Sequence, residues 1–215
     1  SGRADAEDGA CKEVGTMDVS IGSEDNRRMA FSLSGARTGF ANLVRRYAMN
    51  QVPVFAVDKV TVYENTGTLF DEYIAHRIGL VPLRSPAGVK SDEEALFTLE
   101  ASGPAMIYSG QLSSGHDKIK VATEKIPLLQ LLADQNLRLE AKALSGIGRK
   151  HAKWQAGLAS YEMANGEFRF KVESFMQMPP RDMLGRAADL LEQKCEEMEE
   201  GLNGIKSAAK KKKEE

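Results

Sequence analysis

Neither end of this chain can close a hydrophobic core by itself, and that limits the folds open to it. Residues 17–33 read as a β-hairpin. Val19 and Ile21 alternate with polar neighbours, Glu24-Asp25-Asn26 supplies turn chemistry, and Met29, Phe31 and Leu33 alternate again. A helix is predicted over about 37–50, closed by Pro53, which disfavours helical geometry in the residue before it. Near the other end, residues 158–163, an Asn165-Gly166 turn and the alternation of Phe168, Phe170 and Val172 predict a second hairpin. Pro179-Pro180 breaks the chain there, and a long helix is predicted over about 181–203. Each end leaves an apolar face uncovered. The simplest arrangement is α+β. One discontinuous domain, a sheet plus two helices, uses residues 17–52 and 155–205, and a β-rich domain, 53–154, is inserted between its halves.

The middle supports this. Val54, Ala56, Val60 and Val62 alternate around Asp58 and predict a strand over 54–63. Residues 69–79 predict a short helix, with Asp71 and Glu72 in the first turn and Arg77 near the end, the order the helix dipole favours. Leu80 to Leu83 is a brief apolar run stopped by Ser85-Pro86-Ala87-Gly88. From 95 to 145 the pattern is strands and loops: Phe97 and Leu99 alternate with Leu96, Thr98 and Glu100, and Leu137, Leu139, Ala141 and Ala143 share one face. Residues 1–16 are acidic and without period and read as a disordered leader, with regular patterning beginning at Met17. Residues 206–215 read as a solvated charged tail.

Several function classes are excluded or weakened. No apolar run approaches a membrane span. A net charge of −2 argues against coating nucleic acid by bulk charge. Cys11 and Cys195 lie at opposite ends, so neither a CxxC pair nor a four-thiolate cluster is available, and a reducing, cytoplasmic setting is expected. Glu72 and His76 share a helix face at i, i+4 beside Asp71, but no third metal ligand is identifiable, and an ion pair or cap is the ordinary use of such residues. His151 suits hydrogen bonding in a loop. Gly146-Ile-Gly148-Arg-Lys150 lacks the spacing of a phosphate loop.

Two helices carry more information. In the first, Phe40, Leu43, Val44 and Tyr47 form a stripe read as core. Asn42, Arg45, Arg46 and Met49 recur on the other side, a face with guanidinium groups but no Lys or Glu, which suits interface burial. In the last helix, Leu184, Ala187 or Ala188, Leu191, Cys195, Met198 and Leu202 recur at steps of three and four. Within that seam Cys195 reads as a small core residue. A helix of about 37–50 is roughly 20 Å long and cannot cover a seam of roughly 33 Å. Either a second protein covers the rest, or the helix lies over its own sheet.

The motifs also carry a resemblance. Phe40-Ala-Asn42-Leu-Val-Arg45-Arg46, then Val52-Pro53-Val-Phe-Ala56-Val57-Asp58, Asn65-Thr66, and Asp71-Glu72-Tyr-Ile-Ala-His76-Arg77-Ile-Gly79-Leu80-Val-Pro82-Leu83 resemble the D-type subunit of archaeal DNA-directed RNA polymerase. That family is related to the third subunit of eukaryotic RNA polymerase II and to the amino-terminal part of the bacterial alpha subunit. Gly146-Ile-Gly148-Arg-Lys-His151-Ala152-Lys153-Trp154-Gln155 is a second matching block, and the likeness covers about residues 17–205. The resemblance implies a non-catalytic assembly subunit, with the discontinuous domain as its dimerisation domain and the β-rich domain inserted in it. It would pair with a smaller, subunit-L-like partner to form a platform for the large catalytic subunits, and meet DNA only through the complex. It implies a partner interface at Phe40, Asn42, Arg45, Arg46, Leu184, Leu191, Met198 and Leu202, and large-subunit docking at Asp71, Glu72, His76 and Arg77. Many members carry a cysteine-rich, ferredoxin-like insertion after the His-Ala-Lys-Trp block. Here Trp154 to Phe168 is a short hairpin without cysteine, so no iron–sulfur cofactor is expected. The alternative is an independent nucleic-acid-binding module using Arg45, Arg46 and the lysine tail.

Overall fold

The computed structural model describes residues 16–85 and 92–214, with side chains to residue 204. Residues 1–15 of the expected leader, Cys11 among them, and Pro86-Ala87-Gly88 of the expected turn lie outside the described residues. The fold is α+β with antiparallel sheets. The first hairpin is β1 (Asp18–Glu24) and β2 (Arg28–Ser34). Asp25 closes its turn by accepting from the backbone N–H groups of Arg27 (2.6 Å) and Arg28 (2.7 Å). The last hairpin is β9 (Gly157–Ala164) and β10 (Glu167–Ser174). At its tip Asn165 and Gly166 both have positive φ, 56° and 82°, which a two-residue turn of matching twist requires.

β10 lies beside β2, so the sheet runs β1-β2-β10-β9 and the two ends of the chain meet in it. At the join the rings of Phe31 and Phe170 stack at 4.7 Å. Helices α1 (Thr38–Asn50) and α3 (Pro180–Glu214) cover one face, α1 packing on β9 and α3. Ala41 and Ala48 of α1 and Met183 and Ala187 of α3 complete this core with Met29, Leu33, Phe168 and Val172.

The middle of the chain builds a second core. β3 (Pro53–Asn65), β8 (Asn136–Ile147), β4 (Glu94–Ser102) and β6 (Ser113–Ser114) form a sheet in the order β3-β8-β4-β6. β5 (Ala105–Tyr108) pairs with β7 (Pro127–Leu131) beside it, and α2 (Asp71–Gly79) inserts Ile74 and Ile78. Leu137, Leu139, Ala141 and Ala143 all enter this core, as do Phe97 and Leu99, while Leu96 is exposed.

β3 joins the two cores. Its side chains alternate, so Val54 and Ala56 enter the first core and Phe55 and Val57 the second. The even-numbered alternation through Val62 predicts a single face, and the structure corrects this. A bulge between Val57 and Lys59 reverses the parity at Asp58, so Val60 and Val62 pack on the second core instead.

Two helix expectations are also corrected. On α1 half of the predicted stripe holds: Val44 and Tyr47, both half-buried, pack on the first core beside the buried Ala41 and Ala48, whereas Phe40 and Leu43 are exposed. Small residues let the helix approach β9 and α3 closely, which turns the large ones outward. On α3 the first turns are anchored by Met183 and Ala187, and from Glu192 to Gly204 every residue is exposed. Cys195 is therefore a free, exposed thiol and no core residue. The backbone stays helical past the expected end to Glu214, through a run of Ala, Lys and Glu, all strong helix formers.

Candidate protein–protein interface

To either side of its buried line α1 has an apolar flank and a polar, largely half-buried flank, with Tyr47 and Met49 packing against the first core. Phe40 and Leu43 are exposed and Tyr47 is half-buried. On the polar part the Asn42 carboxamide oxygen accepts from Arg45 Nε (3.3 Å) and Nη2 (2.9 Å), while Arg45 Nη1 lies 3.7 Å from Met49 Sδ. Arg45 is thus held flat along the helix by residues three before and four after it, a planar donor face already oriented. Arg46 is exposed.

The expected α3 seam divides along its length. Leu184 is half-buried and packs against the first core, and Leu191 is half-buried. Met198 and Leu202 are 68 % and 49 % exposed. Edge strand β1 adds Val19 and Ile21, exposed on the side where their cross-strand partners Leu33 and Phe31 are buried. All four of Val19, Ile21, Met198 and Leu202 stay exposed in the single chain.

The other expected cluster is on α2. Asp71 accepts from the Asn65 amide at 2.7 Å, and the same amide group donates to the Leu69 carbonyl at 2.8 Å. Asn65 and Asp71 therefore fasten β3 to the start of α2. Glu72 and His76 are exposed, and His76 faces a hollow of about 450 Å³ between α2 and β7, lined also by Tyr73, Leu80 and Pro127. Arg77 closes one wall by donating from Nη2 to the Pro127 carbonyl (2.7 Å). Phe70, Tyr73 and Leu80 are all exposed beside it. Among the described residues, no group of three His, Cys, Asp or Glu is placed to hold a metal ion.

The Gly146 to Gln155 block is a structural joint. Trp154 is buried and donates Nε1–H to the Leu144 carbonyl at 3.1 Å. A Cβ on Gly146 would stand 2.5 Å from that indole ring, and one on Gly148 would stand 2.7 Å from the Met49 carbonyl oxygen. Arg149 N–H caps the end of α1 at Asn50 O (3.0 Å). His151 Nδ1 accepts from Lys153 N (3.1 Å), so this histidine does hydrogen-bond in a loop. Lys150 and Lys153 place their ammonium groups 5.0 and 4.3 Å from the Trp154 ring centroid. Lys153 also pairs with Asp58 at 2.8 Å, and this hydrogen bond holds the Asp58 carboxyl below its usual range against the opposing effect of burial.

Sequence patterns miss the long-range fasteners, between the two bodies at Ser85 and within the first body at Arg181. Ser85 Oγ accepts from Phe55 N (2.9 Å), Ser85 N donates to Gln177 O (2.9 Å), and Arg186 Nη2 donates to Ser85 O (3.1 Å). Arg181 at the start of α3 is bidentate on Glu24, across the first hairpin. Lone residues so far apart leave no local pattern; only Ser-Pro at 85–86 marks a turn.

Residues 60–161 match the family described as the RNA polymerase Rpb3/RpoA insert domain. DNA-directed RNA polymerase subunit Rpo3 of Methanocaldococcus jannaschii is 39 % identical over 176 residues, covering 81 % of this chain and 90 % of that protein. The chain belongs to the archaeal Rpo3 family of RNA polymerase subunits. Rpo3 of Pyrococcus horikoshii is 42 % identical over 141 residues, and that of Natronomonas pharaonis 41 % over 142. The chain spans 54 % and 58 % of the length of these two, so it covers little more than half of some Rpo3 proteins. The stretch matching the insert family holds α2, most of the second sheet and the Trp154 joint. An iron–sulfur cluster does not fit the residues present in this Rpo3-family chain. The sequence has two cysteines, Cys195 is exposed on α3, and the β9-β10 hairpin contains none.

Proposed function

We propose that this chain is a non-catalytic assembly subunit of an archaeal-type DNA-directed RNA polymerase, working in the cytoplasm. It forms a heterodimer with a smaller, subunit-L-like partner, and the pair is the platform on which the large catalytic subunits assemble. What supports this is the set of large hydrophobics left exposed on three elements of the first body: Phe40 and Leu43 on α1, Met198 and Leu202 on α3, and Val19 and Ile21 on β1. Pairs of large exposed hydrophobics on three elements of one body exceed the singly scattered ones that an ordinary monomer surface carries. Leu184 and Leu191, half-buried at the base of α3, form the root of the same contact. Asn42, Arg45 and Arg46 then face a large subunit, as do Asp71, Glu72, His76 and Arg77 around the α2 hollow.

The test is in two steps. Co-expression with a subunit-L-like protein gives a soluble one-to-one complex, which Leu191→Asp weakens because a carboxylate in an apolar contact is costly to desolvate. Arg45→Glu with Arg46→Glu leaves that heterodimer intact and loses the large subunit in a pull-down. A Leu191→Asp chain that pairs as tightly as the original would mean that α3 only covers its own sheet. Loss of the heterodimer in the double arginine variant would reverse the two faces of α1.

A further inference from the structure

The two clusters assigned above to a large subunit lie on different bodies, one on α1 and one on α2. The Trp154 joint connects them. From Asn42 and Arg45 the surface passes along α1 to Met49, whose carbonyl oxygen lies against Gly148. Arg149 is fixed at the end of α1 by its backbone bond to Asn50. Lys150 and Lys153 follow, both positioned by the indole of Trp154. Beyond them a hollow of about 160 Å³ is lined by Asp58, Lys153 and His151 on one side and by His76 and Leu80 of the α2 segment on the other. Leu80 also borders the larger hollow between α2 and β7.

We propose that these residues form one continuous docking face across both bodies, with the exposed Arg149-Lys150 pair at its centre, and that it receives an acidic surface of a single large polymerase subunit. Charge argues for that occupant. Among the described residues, Arg46, Arg149 and Lys150 make no ion pair, and the one acidic group at the centre, Asp58, is neutralised by Lys153. Asp71 and Glu72 lie at the far end of α2, and Asp71 is taken up by Asn65. The centre therefore presents uncompensated positive charge on rigid supports, which favours an acidic partner and disfavours a basic or apolar one. A partner gripping both bodies would also fix the angle between them.

The proposal rests on the docking role given above to Arg45 and Arg46, and the experiment separates the two. The full chain is co-expressed with its small partner, and capture of the large subunits is measured over a salt series. Three double variants are compared: Arg45→Glu/Arg46→Glu, Arg149→Glu/Lys150→Glu, and Arg169→Glu/Lys171→Glu on the outer face of the first sheet as control. Heterodimer formation reports that each variant folds. Arg149→Glu/Lys150→Glu should lower capture at least tenfold with a flatter salt dependence, and Arg149→Ala/Lys150→Ala should lower it less in the same direction. Full capture by both joint variants, with capture lost at Arg45/Arg46, overturns the continuous face and leaves the docking role standing. Full capture by the Arg45/Arg46 variant overturns both. Equal losses in the joint variant and the control would reduce the effect to net charge and overturn the proposal as well.

Discussion

Truncating Met198 and Leu202 to alanine separates the two possible uses of the distal half of α3. Complete burial of a Met or Leu side chain gains about 1.5–3 kcal/mol. These two are 68 % and 49 % exposed in the single chain, so the surface a partner could still cover amounts to about 2–3.5 kcal/mol for the pair. At about 1.4 kcal/mol per tenfold, Met198→Ala/Leu202→Ala should weaken the heterodimer about 30- to 300-fold. Alanine has the higher helix propensity, and no core contact is lost, so the thermal midpoint of the chain without its partner should move by no more than about a degree or two. Titration of the labelled small partner by fluorescence anisotropy gives the first quantity, and calorimetry of the chain alone gives the second. Unchanged affinity would show that the distal helix is a solvated extension. A large fall in the midpoint would show that it folds back on its own body.

Other perturbations probe the supports of this surface. Phe170→Ala removes a ring stacked on Phe31 at the join of the two chain ends and should cost about 3–5 kcal/mol, read as a lower midpoint in denaturant. Gly146→Ala drives a methyl group into the Trp154 indole and should cost about 1–3 kcal/mol, with a red shift of the tryptophan emission as the ring loosens. The Asp58 carboxyl titrates below its unfolded value because Lys153 donates to it. Its contribution is therefore present above about pH 4 and fades as the pH falls through the lower folded value, and Asp58→Asn should flatten that acid limb of a stability–pH curve.

What is readable in the sequence follows the range of each interaction. The hairpins are legible because alternation and turn chemistry are local: Asn165-Gly166 specifies its own turn, and Phe168, Phe170 and Val172 their own face. The α+β class follows from two ends that each lack a cover. The bulge at Asp58 is not legible, since an extra residue in a strand is recognised only against its partner, here Lys142 to Ala143 of β8. The Ser85-Gln177-Arg186 fastener is hidden for a similar reason, as each bond joins residues distant in the chain. Of the site, the motif around Arg45 is visible as a face without Lys or Glu, but its hydrogen bonds to Asn42 and contact with Met49 become apparent only with the side chains in place.

The sequence pattern of α1 misleads in an instructive direction. A stripe of Phe40, Leu43, Val44 and Tyr47 looks like a core face because burial is usually assigned to the largest side chains. The helix instead buries the Ala41–Ala48 line, and the centre of the large stripe lies about a quarter turn away, at ~100° per residue. A helix that packs small residues inward and turns large ones to solvent can approach its own sheet closely and still carry apolar area for a second contact. α3 does the same along its length rather than around its axis: Met183 and Ala187 anchor it, and Met198 and Leu202 extend past the body. Two neighbouring helices thus keep apolar residues exposed, as does the edge strand with Val19 and Ile21. A partner packing on both helices, at the usual axial spacing of about 8–10 Å, would bury these side chains.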